Sequence, residues 1–147
     1  MQSTRMYAAT MFTPRRAGHQ GAEGYRATGM EIQVAGADAH RLVSLLFEGF
    51  ESSVSDAQGA IATRDVDRKC RAITRAIRIV DEGLRAHLNM KAGGALAQDL
   101  AELYGYIVKR LTLANARNDS EMLAECKRLM QPLHEAWVAI GQNDNAR

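Results

Sequence analysis

The chain has 147 residues, with 46% hydrophobic and 24% charged side chains and a formal net charge of +2. That length fits one domain able to bury its own core, and the charge alone is too small to argue for a nucleic-acid partner. No apolar run approaches the ~20 residues that span a bilayer, and the first residues lack the apolar stretch of a secretory signal, so the expected place is the cytoplasm without stable membrane insertion.

Residues 1–36 form a glycine-rich leader punctuated by Gly18, Gly21, Gly24, Gly29 and Gly36 with Pro14. Glycine at that density breaks helices, which predicts a flexible segment. Met6, Tyr7, Met11 and Phe12 are its apolar exceptions. They are either incidental or a candidate plug that docks on the body.

Helical periodicity starts at Asp38, a residue able to cap a helix. Leu42, Leu45, Leu46, Gly49, Phe50, Ser53, Val54, Ala57 and Ile61 recur at three and four, predicting a helix over 38–62. Asp65 or Asp67 opens a second helix whose stripe is Val66, Cys70, Ile73, Ile77, Val80, Leu84 and Leu88. Gly93-Gly94 reads as the break before a third helix, 95–116, with the stripe Leu96, Leu100, Leu103, Ile107, Leu111 and Ala114. Asn118-Asp119 makes a turn. Leu123, Cys126, Met130, Leu133, Trp137 and Ile140 mark a fourth helix that Pro132 should kink or split and Gly141 should end. Short connections favour antiparallel neighbours. The fold expected is all-α, an antiparallel up-down four-helix bundle over 37–141 with a polar tail at 142–147.

The chemistry-bearing residues form no catalytic set. None of His19, His40, His87 or His134 follows a glutamate by three positions, as the metal-binding bundles require. Cys70 and Cys126 lack metal-ligand spacing and read as reduced, buried thiols. Nucleotide-binding loops and nucleophile elbows are absent from the sequence. The reading is of a non-enzyme without metal or cofactor.

Two features point to binding. Arg68, Arg71, Arg75, Arg78 and Arg85 lie opposite the seam of helix two, as a solvated face or as a site for an acidic partner or RNA. No aromatic residue interleaves with them to stack on bases. Beside the seams runs a second stripe: Ala72, Ala76, Ile79, Gly83 and Ala86 on helix two, and Ala97, Ala101, Tyr104 and Val108 on helix three. Such small residues either face other helices of the bundle or line a groove for a partner peptide.

The ordered motifs resemble one family. Leu42-Val43-Ser44-Leu45-Leu46-Phe47-Glu48-Gly49 is similar to the first-helix signature Leu-Ile-x-Met-Leu-Tyr-Asp-Gly of the flagellar secretion chaperones of flagellin, with Asp38-Ala39 where Ser/Thr-Pro is usual. Asn89-Met90-Lys91-Ala92-Gly93-Gly94 with Leu96-Ala97 and Leu100, Tyr104-Gly105-Tyr106, Arg110-Leu111, Ala114-Asn115, Asn118-Asp119 and Ala136-Trp137 follow in the family's order. The resemblance, from Tyr25 to Ile140, implies a chaperone that binds the C-terminal segment of flagellin along hydrophobic grooves. It would prevent premature polymerisation and assist delivery to the flagellar type III export gate, with the N-terminal segment able to occupy part of that surface. The competing readings are a generic helical adaptor for another partner peptide and a nucleic-acid-binding bundle.

Overall fold

The computed structural model of the chain describes residues 35–145, with side chains for 38–143. Among the described residues it contains four helices and no strand. Helix α1 spans Ala35–Ala62. Helix α2 spans Val66–Arg78 and continues as a π-helical segment, Ile79–Arg85. Helix α3 spans Met90–Arg117 and α4 spans Ser120–Asn145. Helix α1 packs on α2 and α4, and α3 packs on the same two, so the four form the expected antiparallel bundle. No helix among the described residues is long and apolar enough to cross a membrane.

The starts of α2, α3 and α4 each have a local cause, while Asp38 falls inside the first turn of α1 and not before it. The Asp65 carboxylate accepts from the Arg68 N–H, and the Asp119 carboxylate accepts from the Glu121 and Met122 N–H groups. Both satisfy backbone donors that a first turn leaves without a helical partner. Asn89 does the same for Ala92, and this cap starts α3 five residues before the Ala95 expected from the sequence. The glycine break is nevertheless present, as a kink. Gly94 sits at φ 57°, ψ −134°, backbone open to glycine but strained for other residues. At the other end Asn118 adopts the left-handed conformation, φ 52°, and closes α3.

The π segment follows from spacing. Buried positions on α2 run Ile73, Ala76, Val80, Leu84 and Leu88, ending in consecutive steps of four. Eight residues of α-helix turn about 80° beyond two full turns, which would carry Leu88 off the buried face. A π segment takes more residues per turn and removes that surplus; its i→i−5 bond from Ala86 N–H to Asp81 O is 3.1 Å long.

One expectation about α4 is narrowed and one corrected. Helix α4 is continuous through Pro132, whose ring stands on the exposed face, so the proline does not split it. Gly141 does not end it either, and the helix runs on to Asn145.

The core joins Phe47, Phe50 and Val54 of α1, Ile73, Val80 and Leu84 of α2, Tyr104, Ile107 and Leu111 of α3, and Leu123, Cys126 and Trp137 of α4. Burying each large side chain stabilises the bundle by about 1.5–3 kcal/mol. Three expected seam residues lie outside this core: Leu45, Val66 and Leu96 are exposed, Val66 by 61% and Leu96 by 49%. On α3 the buried face is Ala97, Tyr104, Ile107, Leu111 and Ala114. Alanine at its entry lets the helices approach closely, and the bulkier Leu96 is turned outward.

Candidate functional site: a basic-rimmed groove on helices one and two

The second stripe divides in the structure. Ala72, Ala76, Ala97 and Tyr104 are buried in the bundle core. They hold the helices together and present no face to another chain in this conformation. Ala101 and Val108 are half-buried against the core, and Ala86 is half-buried near the end of α2. Ile79 and Gly83 are different. They lie where α1 and α2 meet and line an open groove of about 600 Å³.

The groove floor depends on two glycines. A Cβ on Gly83 would stand 3.0 Å from Leu46 Cδ2, and one on Gly49 would stand 3.2 Å from Ile79 Cδ1. Each helix therefore seats an apolar side chain of the other against bare backbone. Leu46, a residue of the α1 signature, completes the floor with Ile79 and was absent from the sequence-derived site. Its place in the Leu42–Gly49 motif was the available signal.

The rim is basic. Arg71, Arg75 and Arg78 line the groove with Thr74, Glu82, Cys70 and His87. Arg78 pairs with Glu82 at 3.0 Å, both side chains being mostly in water. Two further arginines of the sequence-derived row are engaged elsewhere: Arg68 pairs with Asp56 at 2.6 Å and Arg85 with Asp81 at 3.5 Å. Exposed pairs of this kind contribute about 0–1 kcal/mol.

Among the described residues His40, His134 and Cys126 serve packing, while His87 and Cys70 also line the groove; His19 lies outside the described residues. His40 stacks on Trp137 with ring centroids 4.6 Å apart, the indole N–H donates to the His40 carbonyl at 2.9 Å, and His40 Nε2 lies 2.6 Å from the Trp137 carbonyl. Phe47 stacks on His134 at 5.2 Å, and His87 Nδ1 bonds the Gly83 carbonyl at 2.7 Å. Both cysteines are free thiols. Cys126 is buried and packs its sulfur 3.9 Å from the Ile107 carbonyl, and burial pushes the thiol up to about 12, with Glu125 adding to the rise. Cys70 is half-buried, 3.6 Å from Asn115 Oδ1. Among the described residues no histidine, cysteine or carboxylate cluster could hold a metal ion.

The polar motifs of the sequence acquire structural roles. Lys69 is buried, and its ammonium donates to the Asn115 carbonyl at 2.9 Å and to Asn118 Oδ1. A cation there meets the negative end of α3 and its unpaired carbonyls. Glu125 of α4 accepts from Tyr106 at 2.8 Å and from Arg110 at 2.6 Å, and these two bonds hold its carboxyl below the usual glutamate value. The Arg110 guanidinium also lies 5.9 Å from the centre of the Tyr106 ring. Met6, Tyr7, Met11 and Phe12 lie outside the described residues.

Comparison with known proteins assigns this arrangement. The profile of the family described as Flagellar protein FliS matches residues 21–144. The chain is 38% identical over 120 residues to the flagellar secretion chaperone FliS of Salmonella typhimurium, covering 82% of this chain and 89% of that one. It is 36% identical over 116 residues to FliSB of Pseudomonas aeruginosa, covering 79% and 91% of the two chains. Against FliS of Bacillus subtilis it is 31% identical over 103 residues, covering 70% and 75%. The matched span takes in all four helices, both polar turns and the groove, and the chain belongs to the FliS family of flagellar secretion chaperones.

Proposed function

We propose that this chaperone's client is flagellin: that it binds the C-terminal segment of newly made flagellin in the cytoplasm, keeps that segment from premature polymerisation and assists its delivery to the flagellar export gate. The observation that carries the reading is the family match over residues 21–144. The groove on α1 and α2 supplies a surface with the needed chemistry, an apolar floor of Leu46 and Ile79 beside exposed polar groups. The function is binding and release without turnover, cofactor or metal.

Calorimetry with a peptide of the flagellin C-terminal segment, and pull-down of full-length against C-terminally truncated flagellin, test it. Full-length flagellin is captured and the truncated form is not. Ile79→Asp weakens peptide binding by about tenfold or more, since a charge on the groove floor must be desolvated when the client seats. Its circular dichroism spectrum stays helical. Equal capture of both flagellins would refute the assignment of the client segment.

A further inference from the structure

Resting on the client reading above, we infer that the α1–α2 groove selects an acidic apolar segment, one whose carboxylates meet Arg71, Arg75 and Arg78 while its apolar side chains cover Leu46 and Ile79. Positions 71, 75 and 78 are spaced by four and three, so the three guanidiniums lie along one face of α2. Arg71 and Arg75 are exposed and make no ion pair among the described residues. Among the described residues Arg78 pairs with the exposed Glu82, a contact weak enough to exchange for a client carboxylate. The lining runs from Cys70 to His87, roughly 25 Å of helix, which accommodates a segment several residues long. Among the described residues of that lining Glu82, in the π segment, is the only carboxylate, so together they carry a net positive charge.

Charge also argues against two other occupants. The chain's own leader carries Arg5, Arg15 and Arg16 before its first carboxylate, Glu23. Seating Met6 to Phe12 here would bring like charge to a basic rim. RNA would gain from the arginines, but the described residues of the groove lining include no Phe, Tyr or Trp on which bases could stack.

Fluorescence anisotropy with a labelled flagellin C-terminal peptide tests the inference on the full chain. Arg71→Glu combined with Arg75→Glu lowers affinity by about tenfold or more at low salt, and the corresponding glutamine variant by less. Raising salt weakens wild-type binding and removes most of the difference between wild type and variant, because exposed charges are screened beyond about 10 Å at 0.1 M. A peptide with Asp and Glu replaced by Asn and Gln binds wild type and variant alike. The control, Lys109→Glu with Arg117→Glu on α3, changes net charge equally and leaves affinity within about twofold. Thermal melts confirm that every variant folds. The inference is overturned if the peptide binds independently of Arg71, Arg75 and salt, or if the control loses as much. It is also overturned if a peptide of residues 1–24 competes at the groove, or if single-stranded RNA displaces the flagellin peptide through the same arginines. Complete failure of the peptide to bind wild type would instead remove the client reading itself.

Discussion

Tyr104 brings a phenol into the core with no exposed surface, and its hydroxyl finds no hydrogen-bond partner among the described residues. Burial holds that hydroxyl far above its usual pKa, so it stays protonated at neutral pH. A buried polar group left without a partner is costly, whereas the ring is a large apolar payload. Tyr104→Phe is therefore expected to leave stability unchanged or raise it by about 1 kcal/mol. Tyr104→Ala should cost about 3–5 kcal/mol in urea unfolding. A large loss in Tyr104→Phe would show that the hydroxyl is satisfied. Gly141 is the complementary case. A Cβ there would land on the His40 imidazole, which stacking on Trp137 and the bond to its carbonyl hold in place. Gly141→Ala should lower the melting temperature of the wild type. In a His40→Ala background the same change should be neutral or stabilising by up to about 1 kcal/mol, the helix preference of alanine over glycine. Equal effects in the two backgrounds would break the link between Gly141 and His40. Gly141 looked like a helix stop in the sequence because glycine has two uses, ending a helix and admitting a neighbour, and periodicity does not separate them.

At the level of paired elements, α3 and α4 are joined on their outer side by Glu125 with Tyr106 and Arg110. The carboxyl is depressed in the fold, first by the Tyr106 bond and then by the Arg110 bond. A depressed carboxyl stabilises the folded state above its unfolded pKa, and the contribution disappears as pH falls through the folded value. Glu125→Gln should therefore melt below wild type at neutral pH. The gap should narrow as pH falls through and below the usual glutamate value of 4.5, which thermal melts across pH 3–7 would measure. A constant gap would mean that the carboxylate charge plays no part. The element boundaries show what periodicity can and cannot see. The caps Asp65 and Asp119 and the two short turns were legible because each is a local residue pattern. The π segment was not, although the steps of four from Val80 to Leu84 to Leu88 were its trace. Leu96, Leu100 and Leu103 outweighed Ala97 and Tyr104 in the reading of α3, since larger apolar residues suggest a core. The structure instead places alanine where backbones come close.

Across the whole molecule the bundle was legible because four amphipathic stripes and three short connections leave few ways to bury apolar surface. The candidate site was only partly so: Ile79 and Gly83 belong to the expected stripe and the arginines to a separate face, but Leu46 sits on another helix and its meeting with Gly83 is tertiary. The same holds for His40 and Trp137, which are 97 positions apart in sequence. Their contact brings the beginning of α1 beside the end of α4, so the bundle is nearly a ring in its connectivity. Folding must close that whole span before this contact forms, a cost that grows with the logarithm of the loop length. Connectivity should then be exchangeable at constant packing. A circular permutant that joins Asn145 to Ala35 through a short glycine–serine linker, and opens the chain at the exposed Arg64, should keep the helical spectrum and the buried Trp137 emission. Its refolding in stopped-flow measurements should be no faster than that of the parent order, because opening the chain at Arg64 makes the more extensive α1–α2 pairing non-local while the α1–α4 pairing becomes local. A permutant that refolds faster would place the rate-limiting step in the closure of α1 on α4.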